Sequence, residues 1–294
     1  MTLFELILDA ERQLTQAGVH FGHGTTNAHD EAAWLVLHAL SLPLDTDLHD
    51  ALLANQPVTP DQQRNVAELL RQRIDTRQPL AYLTHEAWLQ GVPFYVDERT
   101  IVPRSLIAEA LADGSIDPWL SSGTRRVLDL CTGNGSLAVL AAMAWPDVLV
   151  DAADISPGAL AVARINVDKH QLGERIRLIE SDGLAQCQGP YDLIVCNPPY
   201  VNQGSMEALP AEFRAEPSLA LAGGSDGMDF IRNLIAAASS FLNSSGVLVL
   251  EIGHEREHFE AAFPHLSPVW LDTSAGSDQV LLLTEDMFVP RVAP

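Results

Sequence analysis

Asn197-Pro198-Pro199-Tyr200 follows directly on the apolar run Tyr191-Asp192-Leu193-Ile194-Val195-Cys196, which two consecutive prolines must end. Proline has no N–H, so carbonyls in this turn lack local donors. Asn197 adds an amide oxygen, and Tyr200 adds a flat face with a polar tip. Together they form a small cup of acceptors with an aromatic wall. It lies at the carboxyl end of a strand, where open α/β sheets bind ligands. Such a cup suits a planar NH2 group on an adenine, a cytosine or a carboxamide. Taken alone, a proline-stopped strand with a loop asparagine explains the same residues.

A second group narrows the choice. Asp129-Leu130-Cys131-Thr132-Gly133-Asn134-Gly135 closes one strand and opens a helix, and its glycines let a ligand approach the backbone closely. Asp154, followed by Ile155, ends the next strand, where a carboxylate can accept ribose hydroxyl protons. Asp182-Gly183 follows a third strand and places a carboxylate for an adenine amino group. The glycine spacing is not GxGxxG and no Walker lysine follows, so a dinucleotide or nucleoside triphosphate fits poorly. Ribose recognition without a phosphate cradle points to S-adenosylmethionine. Each acid alone could equally be a helix cap or loop residue; in this strand order the set is specific.

Positioning these residues requires strands separated by helical crossovers: Arg126–Cys131, Leu149–Ile155, Ile176–Glu180, Tyr191–Asn197 and Gly246–Glu251. That alternation predicts an α/β fold, a doubly wound and mostly parallel sheet. Val269–Leu271 and Gln279–Leu283 predict a final antiparallel pair turning at Ala275–Asp278. Ahead of the sheet, residues 1–80 read as helical. Leu3, Ile7, Ala10 and Leu14 make one amphipathic face. A second helix after Asp30 carries Ala33, Val36, Leu37 and Leu40. A third starts at the capping box Thr59-Pro60-Asp61-Gln62. On that third helix Arg64, Arg71, Arg73 and Arg77 read as a solvated basic face, and Gly22-His23-Gly24 as a glycine turn rather than a metal site. The period changes over 81–104, where Trp88, Phe94, Tyr95, Val96, Ile101 and Val102 around Gly91 and Pro93 predict a β-hairpin. The expected units are a helical substrate-recognition domain over 1–80, a hairpin and linker over 81–123, and a catalytic domain over 124–294.

The chain of 294 residues carries 39 acidic and 17 basic side chains, a formal charge of −22. A nucleic-acid reader should show a basic face; this field repels phosphate and attracts basic partners. No run of 18 apolar residues predicts a spanning helix, and the amphipathic first helix does not read as a signal peptide. Cys131, Cys187 and Cys196 have no CxxC partner, which fits a reducing cytoplasm and no structural metal.

The segment 125–284 resembles class I S-adenosylmethionine-dependent methyltransferases with an Asn-Pro-Pro-Tyr motif, which include adenine-N6 DNA enzymes and protein-glutamine N5 enzymes. Gly22-His23-Gly24-Thr25, Ala81-Tyr82-Leu83-Thr84, Phe94–Arg99, Val102–Ser105 and Asp129–Gly133 narrow the likeness. They are similar to the branch of the protein-(glutamine-N5) methyltransferase family that modifies the third large-subunit ribosomal protein. The release-factor branch usually has glycine where Cys131 stands, and proline-glutamate where this chain has Ser105-Leu106. Ala275–Gln279 departs from the family's Gly-Gly-Asp-Gly and leaves the form of the last turn open.

The resemblance implies a Rossmann-like fold and S-adenosyl-L-methionine as cofactor, held by Asp129, Thr132, Gly133, Asn134, Gly135, Asp154, Ile155, Asp182, Gly183 and Asn197. It implies that Asn197 and Pro198 hold a glutamine amide, with Pro199 and Tyr200 as further substrate contacts and Tyr200 stacking on the amide plane. No metal, membrane or stable nucleic-acid binding is expected. The expected partner is a basic ribosomal protein of the large subunit, met before or during assembly in the cytoplasm. Release factors, and more distantly nucleic-acid adenine, are the alternative substrates.

Overall fold

The structure is a computed structural model that describes residues 1–288; residues 289–294, the end of the expected catalytic domain, lie outside the described residues. The N-terminal region is built from α1 (Leu3–Ala17), α2 (Ala28–Ala39), the short α3 (Ala51–Ala54), α4 (Pro60–Thr76) and α5 (Leu80–Thr84). Capping boxes at Thr2/Glu5 and Thr59/Gln62 start α1 and α4. Each such cap is worth about 1 kcal/mol. Asn27, not Asp30, caps α2, so that helix begins earlier than its apolar pattern suggested. Its buried face is also shifted, with Ala32, Leu35 and Val36 fully enclosed and Ala33 and Leu40 only partly so. The reason is packing on more than one side, since α2 meets α1, α4 and α5.

The expected hairpin is shorter than its composition. Residues 81–84 belong to α5, whose Leu80, Ala81 and Tyr82 are buried in the helical core. Only β1 (Ala87–Leu89) and β2 (Val92–Phe94) pair, across Gln90 (φ 50°) and Gly91 (φ 74°). Two left-handed residues give the turn whose twist matches that of the strands. From Tyr95 the chain leaves the strand and turns at Asp97–Thr100; Tyr95 pairs instead with a side chain, Asn166. The apolar core around the N-terminal helices takes in Ala87, Val96 and Val102.

After α6 (Ile107–Ala112) the sheet begins. Its elements are β3 (Arg126–Leu130), α7 (Ser136–Ala144), β4 (Leu149–Asp154), α8 (Pro157–Lys169), β5 (Ile176–Glu180) and β6 (Tyr191–Cys196). They continue with α9 (Gln203–Ala208), α10 (Ala211–Arg214), α11 (Asp229–Ala237), β7 (Leu242–Glu251), α12 (Arg256–Ala262), β8 (Val269–Thr273) and β9 (Gly276–Thr284). Seven strands run in the order β5-β4-β3-β6-β7-β9-β8, parallel up to β7 and antiparallel at β9 and β8. Register sorts the side chains by face. Val127, Leu193 and Val247 lie abreast in one core, and Leu128, Ile194 and Leu248 in the other. Burying each such side chain contributes roughly 1.5–3 kcal/mol. The last turn is tighter than expected: Thr273 pairs with Gly276, so only Ser274 and Ala275 link the strands. Helices α9 and α10, in the excursion after Tyr200, had no counterpart in the sequence pattern.

Candidate active site

Strand β3 leads through α7 to β4 on one side and has β6 on the other, so the sheet's order reverses between β3 and β6. Ligand crevices form at such a point. Leu130 is paired with Cys196, which brings Cys131 and Asn197 to the same edge. A cavity of about 220 Å³ opens there. Of the residues singled out from the sequence, Gly133, Asp154, Ile155, Asp182, Gly183, Asn197 and Pro199 line it.

Asp129, Thr132, Asn134 and Gly135 stand behind the wall and shape it. The turn needs left-handed backbone at Cys131 (φ 61°), Gly133 (φ 55°) and Gly135 (φ 81°). At Gly135 an added Cβ would also sit 3.1 Å from Ala163 Cβ, so the glycine lets α7 approach α8. Fully buried Asp129 accepts from Thr132 Oγ1 at 2.5 Å and from Ala138 N at 2.9 Å, both through Oδ2. Its Oδ1 is buried without a partner among the described residues. Burial, against those two hydrogen bonds, pushes its pKa up to about 7. Asp154 accepts from Gly133 N at 2.9 Å and from Ser156 N at 2.9 Å, so it locks the glycine turn to the start of α8. Burial raises its pKa too, despite those donors.

The proline turn divides into two parts. Asn197 is half-buried on the cavity wall, and its amide makes no hydrogen bond with another described residue. Pro198 and Tyr200 do not line the cavity. Tyr200 is seated on Gly253, where an added Cβ would fall 2.5 Å from Tyr200 Cε2, and its hydroxyl lies 3.3 Å from Glu251 Oε1. Beyond it, Val201 bridges Ala222, so residues 202–221 leave and return as a closed excursion. Sequence reasoning missed several wall residues, among them Arg99, Thr100, Ile101, Pro217, Leu219 and Phe230. They come from the linker, the excursion and α11; Ile101 was read only as part of the hairpin pattern, and none belongs to a glycine turn.

A family model described as "Methyltransferase small domain" matches residues 116–263. The ribosomal protein uL3 glutamine methyltransferase of Bordetella pertussis is 54% identical over 97% of this chain and 95% of its own length. That of Neisseria meningitidis serogroup B is 47% identical over 98% of this chain and 94% of its own length. This chain belongs to the uL3 glutamine methyltransferase family. Among solved structures, the hMettl16 catalytic domain in complex with a MAT2A 3′UTR hairpin superposes with a TM-score of 0.55. That match is at 13% identity and covers 88% of this chain and 95% of the other; it shows the class I methyltransferase fold. The chain is a methyltransferase.

In this family member the excursion after Tyr200 also reaches the helical region. Arg73 and Arg77, expected on a solvated face, are instead drawn into a buried ionic seam. Arg73 pairs with Glu31 at 2.7 Å and with Glu212 at 3.5 Å, and Arg77 pairs with Glu212 at 3.2 Å. Arg77 also donates to the carbonyls of Ala17 and Gly18 at the end of α1. Glu216 accepts from Arg104 at 2.6 and 2.7 Å and from Val102 N at 2.8 Å, with His23 Nε2 at 3.5 Å. Burial opposes ionisation of Glu216. The Arg104 charge and the His23 contact outweigh it and hold the pKa down to about 2. The glycine turn around His23 is present, and Gly22 makes room for Phe213, whose ring lies 4.2 Å from His23's. Pro217, next to Glu216, is already cavity wall.

Proposed function

We propose that the cavity binds S-adenosyl-L-methionine and that the Asn197 turn presents a glutamine side-chain amide of ribosomal protein uL3 for N5-methylation. The observation that carries this reading is the Asn197 amide, uncommitted and on the wall of the cavity shaped by the glycine turn. The names of the Bordetella and Neisseria relatives support uL3 as the substrate. The donor set fits the cofactor: Asp154 and Asp182 on the wall offer acceptors to ribose and adenine, and Asp129 Oδ1, just behind the wall, is buried without a partner among the described residues.

Bound S-adenosylmethionine supplies an electrophilic sulfonium methyl. The chain's task is to make a poor nucleophile reactive, because a carboxamide nitrogen has a delocalised lone pair. Asn197 Oδ1 and the Pro198 carbonyl accept its two N–H groups and fix the nitrogen in orientation. As the nitrogen gains a fourth substituent its N–H groups become more acidic, so these bonds strengthen in the transition state. The proton leaves to water. Tyr200, held on Gly253 and Glu251, gives the turn a rigid aromatic flank for the amide plane. The charge of −22 favours encounter with the basic surface of free uL3 over assembled ribosome, hence modification before or during assembly.

The test is methyl transfer from labelled S-adenosylmethionine to free uL3, assembled large subunits, release factor and naked RNA across a salt series. One added methyl on a uL3 glutamine, fastest at low salt on the free protein, is expected. Preferential labelling of release factor or RNA would overturn the substrate reading, and efficient labelling of intact subunits the timing.

A further inference from the structure

The amino-acid tail of the proposed cofactor carries a carboxylate as well as an ammonium, and neither the glycine turn nor the acids supply a cation for it. Arg99 is the one cationic side chain on the cavity wall among the described residues. Its Nε and Nη2 are held by Asp97, at 2.8 and 2.5 Å, and its stem lies along Gly158 at the start of α8. Asp97 is itself buried and also accepts from Tyr95 Oη at 2.9 Å. The remaining nitrogen, Nη1, has no partner among the described residues. A guanidinium oriented on one edge and free on another is arranged for a second carboxylate.

The next residue adds a donor. Thr100 is 1% exposed and lines the same cavity, yet its hydroxyl has no hydrogen-bond partner among the described residues. Its backbone is fixed at both ends, the N–H on Asp97 O at 3.1 Å and the carbonyl accepting from Tyr82 Oη at 2.5 Å. A buried hydroxyl left unpaired in a rigid wall is a group awaiting a ligand atom. Position along the cavity agrees. Asn166 binds both backbone groups of Tyr95, at 2.7 and 2.9 Å, and the carbonyl of Asn134 at 2.8 Å. One buried amide thus stitches the linker that carries Arg99 and Thr100 to the glycine turn. On that turn, Asp129 Oδ1 and Asn134 Nδ2 are likewise buried and unpaired.

We infer that Arg99 and Thr100 form the carboxylate-binding subsite for the cofactor's amino-acid tail, with Asp97 as the residue that positions the guanidinium. The inference rests on the cofactor reading above and assigns a role to the linker that no glycine or strand-end motif carries.

Calorimetric titration with S-adenosylhomocysteine and with decarboxylated S-adenosylmethionine, which keeps the amine but lacks the carboxylate, tests it. Arg99→Gln should weaken S-adenosylhomocysteine roughly 10- to 100-fold and Thr100→Val roughly 3- to 10-fold. Affinity for the decarboxylated compound should change less than about twofold in either variant. Equal losses for both ligands would overturn the subsite and leave Arg99 as wall structure, as would unchanged S-adenosylhomocysteine affinity in both variants. Should Arg99→Gln fail to fold, Thr100→Val decides the matter by the same comparison. A wild-type protein that binds neither ligand would instead reject the cofactor reading itself.

Discussion

Two polar regions of this molecule were assembled by different rules. The cavity at the sheet's edge draws most of its polar groups from the ends of successive strands, each within a few residues of an apolar run, and adds Arg99 and Thr100 from the linker. The seam draws its charges from positions far apart: Arg73 reaches Glu31 across 42 residues and Glu212 across 139, and Arg104 reaches Glu216 across 112. On the cavity wall the Thr100 hydroxyl, and behind it Asp129 Oδ1 and Asn134 Nδ2, are left unpaired; in the seam the Glu216 carboxylate is fully engaged, while Glu212 Oε2 and both ring nitrogens of His23 have no hydrogen-bond partner among the described residues. What separates the regions is the setting: unpaired groups at an open cavity can bind a ligand, whereas Glu216, matched by Arg104 and Val102 N, holds the fold together.

The comparison breaks most readily at Glu216. Removing one partner of a buried pair strands the other, so Glu216→Ala should lower unfolding free energy by roughly 3–5 kcal/mol in urea titration. The double variant Arg104→Met with Glu216→Leu should recover much of that loss. A single variant as stable as wild type would make the seam incidental. Asn197→Ala is the converse: transfer rate down roughly 10²–10³-fold with the urea midpoint unchanged. A near-normal single-turnover rate would remove Asn197 from the chemistry.

Acid titration distinguishes the regions by sign. Glu216 has a folded pKa of about 2 against an ordinary 4.5, so its contribution is complete above 4.5 and is lost as pH falls toward 2. That difference is worth about 3 kcal/mol. Asp129, raised from 3.8 to about 7, works the other way: its contribution is complete below 3.8 and is lost as pH rises through 7. Stability curves of Glu216→Gln and Asp129→Asn, each subtracted from wild type, should therefore slope in opposite directions. Parallel slopes would contradict the burial and pairing on which the contrast depends. The smallest effect is expected for Asp154→Ala. Loss of a charge-assisted hydrogen bond should weaken S-adenosylhomocysteine by roughly 1.5–3 kcal/mol, read by calorimetry.

How far the sequence was legible follows the same division. Strands β3 to β6 and the residues at their ends were readable because buried parallel strands are near-continuous apolar runs that stop at distinctive turns. Arg73 was misread because, on α4 alone, nothing distinguishes an arginine facing water from one facing Glu31. Val96 and Val102 look like strand residues, but they lie outside any strand and their burial comes from the helical core. Arg99 closes the segment Phe94–Arg99 that carries part of the family likeness, but nothing in it or in Thr100 marks a cavity wall. The acceptor turn was anticipated from its prolines, whereas the placement of Tyr200 on Gly253 depends on a residue 53 positions away and on the packing of β7.

The closed excursion between Val201 and Ala222 also sets an order of events during synthesis. Arg73 has a partner within the helical region, Glu31, and Arg77 has the carbonyls of Ala17 and Gly18, but Glu212 and Glu216 are made more than a hundred residues later than the arginines they meet. Those glutamates can be delivered only after β3 and β6 have met and fixed the excursion's two ends. Contacts between such distant residues form slowly, because a long loop must close before they stabilise anything. The first part of the chain to be made is thus among the last whose ionic contacts can be completed.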